Sequence, residues 1–448
     1  MYGNFRAILF CLLLAACQPP QKATLAGAPF DVDNGNIAIR CGQLIDGLSD
    51  EPRSDTTVIV RDGRIARLVP GHLRPPAALV FLDLRDKTCL PGLIDMHTHI
   101  ALYPEDSGDM TVYYRRSIGE TTAITEENAA ATLMAGFTTI RNVADYFPSV
   151  VHAVQADIDA GRIPGPRISS AGPYLTIPGG GGDLVIPGHD ESEIPAEARR
   201  GVARGPDEFR KKARQALDDG ADMLKVIASG AVFAFGGVPG APEMSEDEIR
   251  AVVEVARESG VKVTAHAHGA QSIKDAIRAG VDAIEHASLA DDEAIALASE
   301  RGVAFSMDVY NGTYTAEVGL VQNYPDEFMR KNEETTETQR VVFEKAVAAG
   351  VPILFGTDAG VLPHGMNARQ FEVMVERGMA PMNAIRSATS VAASHMGWQA
   401  DIGAVEAGRY GDLIAVSGDP LRDTAVLEDV AVVVKGGLVF KLPTSPSP

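Results

Sequence analysis

The alternation of apolar and polar positions divides the chain into two textures. From Ile37 to Leu84 short alternating runs (IAIRCGQLID, TTVIVRDGRIARLV, ALVFLDL) are broken by Gly, Pro and Asp, the pattern of small antiparallel β structure. From Leu93 the rhythm changes. Eight apolar runs of strand length recur, GLIDMHTHI, FTTIRNVAD, RISSAGPYL, DMLKVIASG, VKVTAHAHG, DAIEHASL, VAFSMDVY and PILFGTDAG. Amphipathic stretches such as PDEFRKKARQALDDG and SEDEIRAVVEVARESG lie between them, with acids in the first turn and Gly at the close, as helices are bounded. After Gly403 β-like runs return (GDLIAVSG, VAVVVKGGLVFKL). Eight strands alternating with helices predict an α/β fold, a (β/α)8 TIM-type barrel over 93–402. A small β-sandwich domain built from both chain ends, 37–92 plus 403–445, is expected beside it.

The first 36 residues follow neither texture. Residues 1–17 carry one basic residue, Arg6, and then an apolar run from Ala7 to Ala16, too short to span a bilayer comfortably and shaped like a secretory signal. The run ends in Leu14-Ala15-Ala16-Cys17, which resembles a bacterial lipoprotein signal with Cys17 as the lipidated first residue. Gln18 in the next position implies sorting to the outer membrane. A periplasmic protein held to the membrane by its lipid alone is expected, with residues 18–36, rich in Pro, Gly and Ala, as the tether. Of the four cysteines, Cys41 and Cys89 remain in the body, as one disulfide or as two buried thiols. The chain holds 60 acidic against 40 basic residues, a formal net charge of −20. Such a surface repels phosphate backbones and anionic lipid, which excludes nucleic acid as a partner. A small-molecule substrate remains, and a homo-oligomer stays open.

Candidate chemistry gathers at strand ends. His97 and His99 stand at i and i+2 on the first barrel strand and so share a face, as two ligands of one divalent ion would. Lys225 interrupts the apolar fourth strand, His266 and His268 close the fifth, His286 ends the sixth and Asp358 the eighth. In a parallel barrel these ends open on the face where active sites are built. Each residue alone has a plainer reading: a core histidine, a snorkelling lysine, a helix-capping aspartate. Six of these, His268 aside, on five strand ends are not explained that way. His268 either points at substrate or packs. The loop Gly179-Gly180-Gly181-Gly182-Asp183 offers backbone N–H groups to a substrate. His364 and Tyr310 lie on the same face without an assigned role, and His72, His152, His189 and His395 read as structural or surface residues.

The segments PGLIDMHTH, AGFTTIRNVAD, VTAHAHG, IEHA, FGTDAG and IGAVEAGRYGDLIAV resemble the metal-dependent amidohydrolase superfamily from about Ile37 to Lys441. Within it the chain is similar to the imidazolonepropionase-like or Xaa-Pro dipeptidase branch. That resemblance implies two divalent metal ions, zinc first and Mn, Co or Fe as alternatives, held by His97, His99, Lys225, His266, His286 and Asp358. It also implies that Lys225 is an N6-carboxylysine, a CO2-derived carbamate: an ammonium would be repelled by the metals, whereas a carbamate offers two anionic oxygens. Two ions ~3.5–4 Å apart can share a hydroxide and polarise a carbonyl, with Asp358 as the catalytic proton carrier. The expected reaction is cleavage of the amide bond of a small carboxylate-bearing substrate: an Xaa-Pro or Xaa-Arg/Lys dipeptide, or an N-acyl amino acid. A cyclic-amide hydrolase or deaminase of the same superfamily is the alternative, and Lys225, with no acid after His266-Ala267-His268-Gly269, weighs against it.

Overall fold

The structure, a computed structural model, describes residues 35–71, 73 and 79–443. The signal segment with Cys17, all but the last two residues of the 18–36 tether, His72 and the tail beyond 443 lie outside the described residues. Four strands open the described chain: β1 (Ile37–Leu44), β2 (Arg53–Arg61), β3 (Arg64–Pro70) and β4 (Val80–Pro91). Eight follow with helices between them: β5 (Leu93–Thr98), β6 (Phe137–Asn142), β7 (Arg167–Ser170), β8 (Leu224–Ile227), β9 (Val263–Gly269), β10 (Ala283–Leu289), β11 (Ala304–Ser306) and β12 (Ile353–Leu354). β13 (Leu413–Val416), β14 (Val430–Lys435) and β15 (Leu438–Lys441) close the chain.

Both chain ends share one sheet of seven strands, in the order β15-β14-β13-β4-β1-β2-β3. The hydrogen bonding joins all seven strands, from both ends of the described chain, into this one sheet. Alternate residues Ile37 and Ile39, Val58 and Val60, and Val432 and Val434 bury one face, as a period of two requires. β2 turns into β3 at Asp62-Gly63, both at positive φ (49° and 75°), the conformation an Asp-Gly hairpin supplies. Cys41 and Cys89 form a disulfide between β1 and β4, Cα atoms 5.8 Å apart, which resolves the alternative left open by the sequence.

β5-β6-β7 and β8-β9-β10-β11-β12 are two all-parallel sheets whose edges meet. At one seam Leu175 bridges Val226, with Leu175 N donating to Lys225 O (3.1 Å) and Ile227 N to Leu175 O (2.9 Å). At the other Thr98 bridges Ala359, with Met96 N donating to Phe355 O (2.7 Å) and Asp358 N to His97 O (2.8 Å). These strands are buried along almost their whole length, which is why they read as continuous apolar runs. The helix Glu246–Ser259 shows the local logic of the connections. Ser245 and Glu248 form a capping box at its start, three acids fill its first turn, and Gly260 at φ 71° ends it. Its buried stripe, Ile249, Val252, Val253 and Ala256, joins the main core.

Candidate metal centre

Five histidines meet at the C-terminal ends of the parallel strands. Ring centroids stand 5.3 Å apart for His97 and His99, 4.8 Å for His97 and His286, 4.6 Å for His266 and His286, and 4.7 Å for His268 and both His266 and His286. Asp358 joins them: its Oδ1 lies 3.3 Å from Nε2 of both His97 and His99. Lys225, only 2% exposed, faces the same cavity. All seven residues singled out in the sequence are therefore brought together: six line a cavity of about 980 Å3 including its open mouth, and His97 is fully buried against them.

Backbone strain makes this convergence possible. On a regular strand neighbouring side chains point to opposite faces. His286 and Ala287 adopt positive φ (69° and 51°), so the alternation breaks at the end of β10, and both Glu285 and His286 reach His97. Asp358 (φ 62°) and Ala144 (φ 90°) are held in the same sparsely populated region. The Ala144 carbonyl accepts from Nδ1 of His99 (2.6 Å), which leaves Nε2 of His99 directed at Asp358.

Each imidazole is oriented by a partner on its far side. Nδ1 of His97 stands 2.8 Å from Oε2 of Glu285, and Nδ1 of His286 donates to Asp308 (2.9 Å). Nε2 of His266 faces the carbonyl of Gly230 (3.3 Å), and Nδ1 of His268 faces Oγ of Ser288 (2.8 Å). Glu285 is itself held by Arg141 at 2.5 Å and by Thr264, and Asp308 accepts from Gln339 at 2.8 Å. Asn311 Nδ2 donates to Asp358 at 3.0 Å. Glu285, Arg141, Asp308 and Gln339 were not assigned from sequence. An acid inside an otherwise apolar strand run, as in AIEHASL, is the signal that marks Glu285.

Burial, then the Lys225 charge, lowers His99 to about 3; burial and the neighbouring His286 lower His268 to about 3 and hold His266 well below its ordinary value. Burial brings Lys225 down to about 8, against the pull of Glu285 and Asp358. His97 runs the other way. Burial and Lys225 oppose its charge, yet Asp358 and Glu285 raise it to about 9. These carboxylates draw in positive charge, and neither ring nitrogen of His97 makes an aligned hydrogen bond. The three imidazoles whose charged form is disfavoured, His99, His266 and His268, stand beside buried carboxylates, a donor set that borderline divalent metals take. Donor atoms of His97, His286 and Asp358, and of His266, His268 and His286, lie within 4.8 Å of one another in two groups. The residues fit a metal centre.

The glycine-rich loop departs from expectation. Its N–H groups are already engaged: Gly179 to Asp183 (2.9 Å), Gly180 to Ile177 O (3.0 Å), Gly181 to Glu243 (2.8 Å) and Gly182 to Thr176 (3.4 Å). They hold the loop and offer nothing to a substrate. Tyr310 lines a small apolar cluster and its hydroxyl accepts from Arg369 (3.0 Å). His364 packs behind His99, bonded to Thr132 (2.8 Å) and facing the His99 carbonyl (3.3 Å). His189 lies at the surface near Glu193, and His395 is half-buried on the helix Ser390–Met396.

Residues 88–439 match the model of the Amidohydrolase family. Ochratoxinase of Aspergillus niger is 31% identical, over 90% of this chain and 86% of its own. Among solved structures, a Xaa-Pro dipeptidase with methionine bound in its active site superposes with a TM-score of 0.84 at 36% identity, over 91% of this chain and 100% of that one. A prolidase complexed with N-methylphosphonate-L-proline gives 0.82 at 28% identity, over 91% and 99%. With its α/β fold, its cluster of buried histidines and this match across most of its length, the chain belongs to the Amidohydrolase family and is a hydrolase of amide-type carbon–nitrogen bonds.

Proposed function

We propose that this chain is a binuclear metal-dependent hydrolase that cleaves the amide bond of small carboxylate-bearing molecules, dipeptides or N-acyl amino acids. The observation that carries the reading is the meeting of five imidazoles, Lys225 and Asp358 at one buried point. The relatives' names support the substrate class, since a dipeptidase, a prolidase and ochratoxinase stand among them. The two edge-to-edge seams between the parallel sheets support closure into a (β/α)8 barrel with the centre at its C-terminal mouth.

His97, His99, Lys225, His266, His286 and Asp358 would hold two divalent ions, zinc by their nitrogen and oxygen donors. When bound, such ions supply a water of lowered pKa and a Lewis acid for the substrate carbonyl. Lys225 contributes as a carbamate: a buried amine held near 8 is available in its neutral form to add to CO2, releasing a proton and leaving an anion. Asp358, oriented by Asn311, accepts the proton of the attacking water and returns it to the departing amine nitrogen. His268, with one nitrogen tied to Ser288, presents its other edge to the substrate.

Metal content and turnover measured on one sample test the reading, using the zinc-loaded protein and a pooled dipeptide and N-acyl amino acid library. About two metals per chain with cleavage is expected. Lys225→Ala should lose metal and nearly all turnover; near-wild-type turnover would sink the carbamate. Asp358→Asn should drop the rate by orders of magnitude more than its metal content. A lipid anchor at Cys17 in the periplasm belongs to the same reading, and Cys17→Ser should leave the membrane fraction; retention there argues against the anchor.

A further inference from the structure

One wall of the cavity is built by a segment that a buried lysine holds in place. After β8 the chain makes an excursion closed at its base by antiparallel pairing of Ser229 with Pro242, with Gly230 N donating to Ala241 O (3.2 Å) and Glu243 N to Ala228 O (2.9 Å). The outgoing arm of this excursion contributes Ala231, Val232 and Phe233 to the cavity lining. Behind it runs the helix Asp326–Ala348. Lys331 of that helix is 1% exposed. Its ammonium does not touch the metal centre: Nζ donates to the carbonyls of Ala234 (2.6 Å) and Ala231 (3.4 Å) and pairs with Glu327 (2.8 Å). Glu327 in turn accepts from Gly236 N at 2.9 Å. Phe328 is fully buried and carries the rings of Phe233 (5.7 Å) and Phe235 (4.8 Å).

A buried charge is costly unless it is paired and hydrogen-bonded, and here its partners are the backbone of one loop and one carboxylate. The same helix presents Asn332, Thr335, Thr336 and Gln339 to the cavity, at the i, i+3, i+4, i+7 spacing of one face. The clasp therefore fixes the distance between that face and the Val232–Phe233 wall. Leu102, Met110 and Tyr113 also line the cavity. Among the described residues lining the cavity, the charged groups apart from the histidines are Lys225, Asp308 and Asp358, all at its floor. A substrate group seated against this wall meets no fixed charge, so burial of apolar surface is what binds it.

We propose that Ala231–Phe233, in the segment clasped by Lys331 and Glu327, form a subsite for an uncharged, apolar group of ring size on the substrate, and that Lys331 is a positioning residue that sets the affinity of this subsite. The proposal rests on the reading of the cavity as the substrate site of an amide hydrolase.

The test compares wild type, Lys331→Met and Lys331→Arg in the metal-loaded protein on acetyl, hexanoyl and benzoyl derivatives of one amino acid. In Lys331→Met, KM for the hexanoyl and benzoyl substrates should rise about tenfold, within the range one apolar contact commands, while KM for the acetyl substrate moves less than about twofold. Lys331→Arg, which can still donate to the two carbonyls, should recover most of the loss. Equal rises on all three substrates, or loss of bound metal, would overturn the subsite. If Lys331→Met does not fold, Phe233→Ala must show the same dependence on acyl size. A second readout needs no turnover: chymotrypsin should cut after Phe233 or Phe235 faster in Lys331→Met than in wild type. Should wild type hydrolyse no amide, the functional reading fails, and equal cutting rates would separately overturn the clasp.

Discussion

Glu285 and Asp308 decide what the histidines at the centre can do. A neutral imidazole has one donor and one acceptor nitrogen, and the group behind the ring selects which is which. Asp308 takes the Nδ1 proton of His286, and its own lone pairs are filled by Gln339 and Asn311. In Asp308→Asn one new N–H must oppose one of those donors, and the imidazole loses its anionic support. Metal affinity should fall about 10- to 100-fold by chelator competition, the usual cost of such a change; unaltered affinity would mean Asp308 only packs. Arg141 is buried against Glu285, so Arg141→Met strands a buried carboxylate and should cost about 3–5 kcal/mol in urea unfolding. The ligand-type residues were legible in the sequence and their supports were not, for a definite reason. His97 and His99 announce themselves by i, i+2 spacing. Glu285 adjoins His286, and on a regular strand the two would point apart; only the positive φ at His286 brings both inward, and a histidine does not advertise that conformation.

At the scale of elements, the strand and helix rhythm was readable because both parallel sheets are buried on their two faces and the helices carry their own stop signals. Each of the eight apolar runs contains a strand, and the helices at 205–218 and 246–259 fall within two residues of the amphipathic stretches that predict them. What the pattern did not carry was pairing between segments far apart in the chain. Period-two alternation says that a strand has one buried face but not whether its neighbours form one sheet or two. Likewise it put Cys41 and Cys89 on strands without their register. The structure pairs Leu44 with Cys89 across a shift at Gly42, where an added Cβ would meet the Arg85 carbonyl at 2.1 Å. That close approach lets β4 draw in against β1 and places the cysteines within bonding reach. The disulfide closes a loop of 48 residues, so Cys41→Ser should lower unfolding free energy by up to about 4 kcal/mol in the chain-entropy picture. Denaturant titration of the oxidised protein and the variant measures it, and a difference below about 1 kcal/mol would show that the sheet needs no staple.

Over the whole molecule, the centre joins parts of the chain that lie far apart in sequence. Its residues run from His97 on β5 to Asp358 beyond β12, so the strands at both ends of the parallel series contribute, and Asp358 N donates to the His97 carbonyl at the seam itself. Five imidazoles and the carboxylates of Glu285, Asp308 and Asp358 are buried there with Lys225 and Arg141, an assembly whose burial is expensive unless every charge is paired. A ligand that binds only the folded chain stabilises it by RT ln(1 + [L]/Kd), about 2.7 kcal/mol when the free ion stands at a hundred times its Kd. Stripping with a chelator should therefore shift the denaturation midpoint downward by an amount that grows with the logarithm of the free zinc in the reference sample, and adding zinc back should restore it. A gain proportional to that logarithm with a slope of two sites, lost in Lys225→Ala, separates a two-ion centre from a single ion bound by the histidines alone. A midpoint indifferent to chelation at every zinc concentration would mean that the buried charges balance one another without metal, and the centre would have to be read as a structural ion network.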